Sequence, residues 1–286
     1  MEVQRYDDPV AFRNDAASIL LADAARNNLP LGVLQVLLDH PNVYPVFHLW
    51  LAVNDGWPVG LALQTEPYNV VLAEPLVDDA VDALAEAVVL DAGLLPGVTA
   101  NLPWADRFAE RVTALTDRAT ERILGEGVWQ LTVVADVPVP SGIARVATPG
   151  DRDLLRGWLR AFADEALPPQ HPRDDARMDL DIDLRLVERG GAYWLWEDGV
   201  PVSMSGHGVV PGVGSRIGPV YTPPPHRGRG YATRLVAEHS AARLANGDAA
   251  CFLFTDLANP TSNAIYARIG YTKVCEAVMY AFRLDP

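Results

Sequence analysis

The chain has 286 residues, of which 49% are hydrophobic and 21% are charged, as is typical of a globular protein rather than a disordered one. Its length allows one large core or two modest ones, and we favour two domains. The net charge of -14 argues against nucleic-acid binding, which needs a basic surface. No segment is apolar enough to cross a bilayer, and the acidic N-terminus has no apolar signal core. We therefore expect a cytoplasmic protein without a membrane partner.

The two cysteines, Cys251 and Cys275, lie in apolar, strand-like runs. No histidine or further cysteine stands at metal-ligand spacing around them. This pattern is typical of buried thiols in a reducing compartment, and it predicts no metal site.

The first half of the chain predicts helices, then strands, then alternating elements. Apolar residues at helical spacing make the first forty residues look helical, and helical spacing recurs further on. The predicted helices cover residues 8–28, 29–40, 77–93 and 103–123. Period-two runs between turn residues indicate strands. The predicted strands cover residues 43–53, 56–67, 69–76, 97–103 and 127–137.

From about residue 143 the same order starts again. It opens with a strand over 143–148, and the remaining elements follow the pattern of the first half. The predicted helices cover residues 149–166, 173–190, 230–247 and 259–270, and the strands lie within 192–222, 250–256 and 271–286. A half-chain repeat of this kind predicts two copies of one α/β unit, with a boundary between residues 138 and 139.

The stretch "TPPPHRGRGYATRL", residues 222–235, places two glycines and two arginines where a helix begins. The start of a helix has unpaired N–H groups and partial positive charge. Gly228 and Gly230 would let the backbone approach an anion, and Arg227 and Arg229 would add cationic contacts. The run is neither a Walker loop nor a dinucleotide fingerprint, because its residues and glycine spacing differ. A phosphate site and a plain turn with solvated arginines both fit these residues.

Residues 143–286 resemble the GNAT superfamily of acyl-CoA N-acyltransferases. The family's Arg/Gln-x-x-Gly-x-Gly/Ala signature corresponds to the run from Arg227 to Ala232. The segment "DLANPTSNAIYARIGY" looks like the family's Asn-to-Tyr helix, which is followed by Gly-Phe/Tyr. The resemblance implies an α/β fold of two tandem GNAT-like domains, each a mixed, mostly antiparallel sheet flanked by helices. It also implies that acetyl-CoA is the cofactor.

The resemblance further implies which residues hold coenzyme A. The pyrophosphate would be bound by the loop amides and arginines, namely Arg227, Gly228, Arg229, Gly230, Tyr231 and Ala232. The strand before the loop would splay from strand 250–256, with a bulge at Gly218 and Pro219. A free N–H of Val220 or Tyr221 would then polarise the thioester carbonyl. Asn259, a natural N-cap, and Asn263 would also reach the cofactor.

Tyr266 matches the family's tyrosine, which implies a general acid for the departing thiolate. The reference pKa values of a thiol and a phenol, roughly 8.5 and 10, permit that transfer. A tyrosine packed beside Ile269 is the alternative. For the general base we consider Glu165 first, and Glu197, His207, Asp256 and a water relay stay open.

The first half lacks the phosphate loop. Residues 72–81 read "LAEPLVDDAV", with three acids and no Gly-x-Gly. Acids at this place would repel pyrophosphate, so we expect residues 1–138 to form a degenerate GNAT-like domain without a coenzyme A loop. Residues 139–286 would form the catalytic domain.

These inferences predict an enzyme that moves an acetyl group from acetyl-CoA to a primary amine by direct attack in a ternary complex. The acceptor would be a small molecule or a peptide amine. The first alternative is a non-catalytic acyl-CoA-binding regulatory or sensor protein. The second is a nucleotide-phosphate binder unrelated to coenzyme A. The sequence leaves the oligomeric state open, a homodimer included.

Overall fold

The computed structural model describes residues 1–91, 93–169, 171–188 and 192–284. The chain forms two compact units. Unit 1 consists of Met1–Val128 and Val274–Pro286, and unit 2 of Trp129–Lys273. The end of the chain thus belongs to unit 1, whereas the sequence-based boundary assigns it to the second half.

Eight α-helices and twelve β-strands are present in the described ranges. The helices are α1 Pro9–Ala22, α2 Asn28–Asp39, α3 Asp79–Asp91, α4 Trp104–Leu115, α5 Arg152–Ala166, α6 Asp175–Asp183, α7 Tyr231–Ala245 and α8 Pro260–Ile269. The strands are β1 Glu2–Tyr6, β2 Phe47–Asn54, β3 Trp57–Thr65, β4 Val70–Leu72, β5 Gly97–Asn101, β6 Arg118–Leu131, β7 Ile143–Val146, β8 Tyr193–Asp198, β9 Val200–Val210, β10 Gly214–Tyr221, β11 Ala250–Asp256 and β12 Thr272–Leu284.

The order of elements repeats. From β1 to β6 the chain runs strand, two helices, three strands, helix, strand, helix, strand, and from β7 to β12 it runs the same way. This confirms the predicted α/β fold built from two copies of one unit. In each half the fourth and fifth strands of the shared order, β4 with β5 and β10 with β11, pair in parallel.

Two predictions of local structure are wrong. The first forty residues are not all helical, because Glu2–Tyr6 forms β1 and pairs antiparallel with β2. The helix predicted over 103–123 ends at Leu115, and β6 begins at Arg118. Thr116 closes the helix by donating its hydroxyl to the carbonyl of Val112 at 2.8 Å. Charged residues at helical spacing after residue 117 mimic a helix, but strand pairing with distant segments decides the structure.

The strands of unit 2 lie in the order β11-β10-β9-β8-β7, antiparallel except for β10 and β11. Tyr193 and Leu195 of β8 are buried in the cluster that contains α5 and α6 residues. Trp196, on the alternate face, is buried with Tyr231 and Leu235 of α7. Because successive strand residues point to opposite faces, α5 and α6 cover one face of this sheet and α7 covers the other.

None of the helices within the described ranges is long and apolar enough to cross a membrane.

Candidate active site

The glycine-rich loop lies where the sequence predicts it, between β10 and α7. Gly228 and Gly230 adopt left-handed backbone angles, with φ of 76° and 83°. A Cβ added at either position would meet no atom within 4 Å. These positions therefore require glycine for their dihedral angles, not for lack of space, and the surface of the loop is open to a ligand.

The start of α7 has backbone donors without internal partners. Within the described part of the chain, no acceptor bonds the N–H groups from Gly228 to Thr233. The first turn of α7 contains no acidic residue, and the cap Gly230 has no side chain to cap the helix. Such a helix start favours an anionic ligand, because both the free N–H groups and the helix dipole attract negative charge.

The loop is anchored by a hairpin of the same unit. The Tyr231 hydroxyl donates to Asp198 at 2.6 Å, and the Ser141 hydroxyl donates to the same carboxylate at 2.7 Å. The hydrogen bond from Tyr231 is the main cause of a lowered pKa at Asp198. The Tyr231 side chain is thus fixed to the hairpin, and its backbone N–H stays unpaired within the described structure.

The predicted splay between β10 and β11 is present. The two strands pair only from Gly214 with Ala250 to Arg216 with Phe252, although β10 continues to Tyr221 and β11 to Asp256. Beyond these three pairs, the facing edges of β10 and β11 are no longer paired with each other. This leaves a wedge that opens towards the glycine-rich loop.

The predicted bulge is confirmed, because the register between β10 and β9 shifts between Ile217 and Val220. Gly206 of β9 gives the bulge room. A Cβ there would lie 3.0 Å from the carbonyl oxygen of Gly218 and 3.2 Å from Cδ of Pro219.

The two candidate oxyanion donors face different edges of β10. The hydroxyl of Ser203 on β9 donates to the carbonyl of Tyr221 at 3.2 Å, so the backbone of Tyr221 faces β9. Backbone groups of successive strand residues alternate between edges. We therefore expect the N–H of Val220, not that of Tyr221, to point into the wedge.

The two asparagines of the α8 region make contacts within the protein. Asn259 caps α8, as its position before Pro260 predicts, and its Oδ1 accepts from the N–H of Ser262 at 3.1 Å. Asn263 accepts from the hydroxyl of Thr255 and donates to the carbonyl of Asp256 at 3.3 Å. Asn259 is exposed and its amide nitrogen has no partner in the described structure, whereas Asn263 joins α8 to the end of β11.

Tyr266 packs against the core of unit 2, with its ring centroid 6.0 Å from that of Tyr271 in an edge-on arrangement. Within the described residues, no group bonds its hydroxyl. Burial raises the pKa of Tyr266 to about 12. The phenol therefore keeps its proton at neutral pH and is a hydrogen-bond donor without an internal acceptor.

Of the four candidate bases, the structure places Glu165 beside the loop. Glu165 lies at the end of α5, where its Oε1 accepts from the Tyr221 hydroxyl at 3.2 Å. Its Oε2 accepts from Nη2 of Arg227 at 2.6 Å. Arg227 also donates from Nε to the carbonyl of Thr222 at 2.8 Å. The loop arginine thus binds a carboxylate of its own unit, a contact that the sequence does not reveal.

The other three candidates make different contacts. Glu197, the penultimate residue of β8, accepts from Nε of Arg145 at 2.5 Å. His207 is buried on the α7 face and lies 2.8 Å from His239, nitrogen to nitrogen. Asp256 accepts from the N–H of Ala258 at 2.8 Å, as a turn cap does.

The corresponding place in unit 1 has an anion of its own. Glu74, after β4, accepts from the indole N–H of Trp104 at 3.0 Å, from Asn101 at 3.2 Å and from Arg26 at 3.3 Å. Its own N–H donates to Asn27 at 2.7 Å. These bonds tie the end of β4 to the end of β5 and to the start of α4. The counterparts of these three elements in unit 2 are β10, β11 and α8, which border the wedge.

No cluster of metal-binding side chains is found among the described residues.

The comparisons with known proteins agree with this architecture. Residues 202–280 match the family described as FR47-like protein. A tandem GNAT protein from the clavulanic acid biosynthesis pathway aligns over 100% of this chain and 99% of its own, with 13% identity and a TM-score of 0.59. A GCN5-related N-acetyltransferase from Sphaerobacter thermophilus aligns over 99% and 96%, with 18% identity and a TM-score of 0.59.

A Drosophila protein aligns over 99% of both chains, with 12% identity and a TM-score of 0.70. No curated protein matches the chain. At these identities the likeness is one of fold, and it extends over both halves. The chain is therefore a two-domain protein with the GNAT fold.

Proposed function

We propose that this protein is an N-acetyltransferase that moves an acetyl group from acetyl-CoA to a primary amine, by direct attack within a ternary complex. The observation that supports it most is the wedge between β10 and β11, which opens beside the unpaired N–H groups at the start of α7. An acyl-CoA has an elongated arm and an anionic pyrophosphate, and these two features match the wedge and the helix start.

The residues present fit the cofactor. The N–H groups from Gly228 to Ala232 would bind the pyrophosphate. Arg229 would add a cationic contact, since the one side-chain hydrogen bond that it makes to a described residue, to the carbonyl of Pro225, is 3.4 Å long. Acetyl-CoA, when bound, supplies a thioester that an amine can attack. The N–H of Val220, which we expect to point into the wedge, would stabilise negative charge on the thioester oxygen. Asn259 stays a candidate cofactor contact.

Proton transfers would involve two side chains. Glu165 would take the proton that the acceptor's ammonium group must lose before it attacks. Tyr266 would donate its phenolic hydrogen towards the sulfur as the thiolate leaves. Because the pKa of Tyr266 is about 12, the phenol is protonated and neutral at neutral pH. Burial of the departing thiolate would raise the pKa of the sulfur as well.

Unit 1 would bind no cofactor. Glu74 takes up the donors at the ends of β4 and β5 and at the start of α4. Asp79 and Asp82 in the first turn of α3, the counterpart of α7, would repel a pyrophosphate. We therefore assign no catalytic chemistry to unit 1.

An assay of thiol release across a panel of primary amines tests this function. Free coenzyme A should appear together with an equal amount of acetylated amine, identified by mass spectrometry. Release of thiol without any acetylated amine would indicate hydrolysis. Binding of acetyl-CoA without release across small-molecule and peptide amines would contradict the enzyme and favour the sensor.

A further inference from the structure

The ion pair between Arg227 and Glu165 joins two parts of the proposed machinery that act on different substrates. Arg227 belongs to the phosphate loop, and Glu165 is the base proposed for the acceptor amine. Their side chains meet at 2.6 Å, Nη2 to Oε2. As long as this contact persists, the arginine is held away from a phosphate and the carboxylate is neutralised.

We propose that Arg227 changes partner when acetyl-CoA binds: its guanidinium leaves Glu165 for the pyrophosphate, and Glu165 becomes available to the acceptor amine only in the cofactor complex. This inference rests on the proposed function and adds to it a coupling between the two substrates.

The first support is that the ion pair is weak enough to break. The Arg227 and Glu165 side chains are 47% and 46% exposed. Ion pairs at such exposure contribute little to stability, because water screens them. A pyrophosphate offers more negative charge and several acceptor oxygens to the same guanidinium.

The second support is that the exchange needs only a small movement. Nε of Arg227 is tied to the carbonyl of Thr222 at 2.8 Å, so the base of the guanidinium has an anchor within the loop. The planar guanidinium turns as one body about this base, and the turn carries Nη2 away from Glu165. Gly228 and Gly230, with open space around them, border this arginine on the side of the proposed pyrophosphate site.

The third support is that Glu165 keeps its place when the arginine leaves. Its Oε1 accepts from the Tyr221 hydroxyl at 3.2 Å. Tyr221 follows Val220, the proposed oxyanion donor, so the carboxylate stays close to the reacting carbonyl. The ring of Tyr221 also lies under the guanidinium, with 5.7 Å from Cζ to the centroid. A carboxylate beside an aromatic face suits a cation, and after the exchange that cation would be the acceptor's ammonium group.

Calorimetric titration of the full chain with acetyl-CoA tests this exchange. In E165Q the arginine is released beforehand, so acetyl-CoA should bind about three- to fivefold more tightly than to the wild type, the upper range expected for an exposed pair. The matched control is D164N, which removes the same charge from the neighbouring residue. Asp164 is 76% exposed and lies 3.9 Å from Arg173 rather than from Arg227. Its affinity should stay within roughly 1.5-fold of the wild type, because salt screens such charges.

A second pair of variants shows whether the effect passes through Arg227. R227Q should bind acetyl-CoA more weakly than the wild type, and adding E165Q to R227Q should change nothing further. If E165Q weakens binding, the ion pair is a static brace of the loop and the exchange is wrong. Equal tightening in E165Q and D164N, or in the R227Q background, would also overturn it. If the wild type binds no acetyl-CoA, both the proposed function and this inference fail. If the wild type binds it and the variants give one of the contrary results above, only the exchange fails. Thermal unfolding of each variant confirms that it is folded.

Discussion

The indole N–H of Trp104 donates to the carboxylate of Glu74 at 3.0 Å. In unit 1 this bond lies at the start of α4, whereas the matching helix in unit 2 starts with Asn259 and Pro260 and has no such carboxylate partner in the described structure. The two copies of one element order thus differ at this helix start. Unit 1 holds a carboxylate of its own there, and in unit 2 the side chain of Asn259 caps the helix.

Glu74 should therefore be a determinant of stability in unit 1. The change Glu74→Gln removes the charge that three donors share and sets an amide N–H group against one of them. We expect the free energy of unfolding to fall by about 2–3 kcal/mol, because hydrogen bonds to a charged group are worth about that much. Urea unfolding measures it. The control Glu86→Gln breaks the exposed contact with Arg111 and should cost less than about 1 kcal/mol. Equal effects would contradict a structural role for the Glu74 network.

Tyr266 and Tyr271 offer a matched pair of tests, since their rings touch but their hydroxyls differ. Tyr266→Phe should lower turnover about 100-fold, the lower range for loss of a general acid, and leave stability within about 0.5 kcal/mol. Tyr271→Phe breaks the bond to Ser240, which is 2.9 Å long, and should cost about 1 kcal/mol of stability with turnover unchanged. Thiol-release kinetics and thermal unfolding distinguish the two. Unchanged turnover in Tyr266→Phe would exclude it as the acid.

The buried histidine pair of unit 2 predicts a pH dependence of stability. His239 lies between the His207 ring and the Ser205 hydroxyl, 2.8 Å and 3.0 Å away. Burial, then the charges of His207 and Arg243, holds the pKa of His239 well below its usual range. The unfolded chain therefore binds the proton more readily than the folded protein does. The free energy of unfolding is therefore undiminished by this group above the unfolded pKa of about 6.5. It decreases as the pH falls below that value, by up to about 1.4 kcal/mol per pH unit.

Urea unfolding between pH 7.5 and 5.5 measures this slope. His239→Asn should make the dependence of the free energy of unfolding on pH less steep. Some dependence should persist, because burial also lowers the pKa of His171, to about 4, and this acts in the same direction. The same slope in the variant and the wild type would exclude His239 as its source.

Local signals explain which parts of the molecule the sequence predicts. Gly228, Gly230 and the Asn259-Pro260 pair set backbone angles and helix starts by themselves, so the loop, α7 and α8 lie where the sequence places them. The repeated element order is likewise visible, because each element has its own apolar period. The bulge follows from Gly218 and Pro219, which fit poorly in a regular strand.

Long-range pairing explains the rest. β1 and the first part of β6 are strands because distant segments pair with them, and their own residues favour a helix about as well. The bond from Arg227 to Glu165 joins residues 62 positions apart, so no local pattern predicts it. Glu74 reads as one of three acids in a helix-starting run, and only the fold shows that Trp104 and Asn101 bind it.

The most direct measurement is a calorimetric titration of the wild type, Gly230→Glu and Gly212→Glu with acetyl-CoA. Gly212 also has a left-handed φ, 72°, and open space around it, but it lies in the turn between β9 and β10. Both variants therefore introduce similar backbone strain and the same charge. We predict one equivalent bound by the wild type and by Gly212→Glu, and none by Gly230→Glu. Two equivalents in the wild type, or undiminished binding to Gly230→Glu, would contradict a single cofactor site at the glycine-rich loop of unit 2.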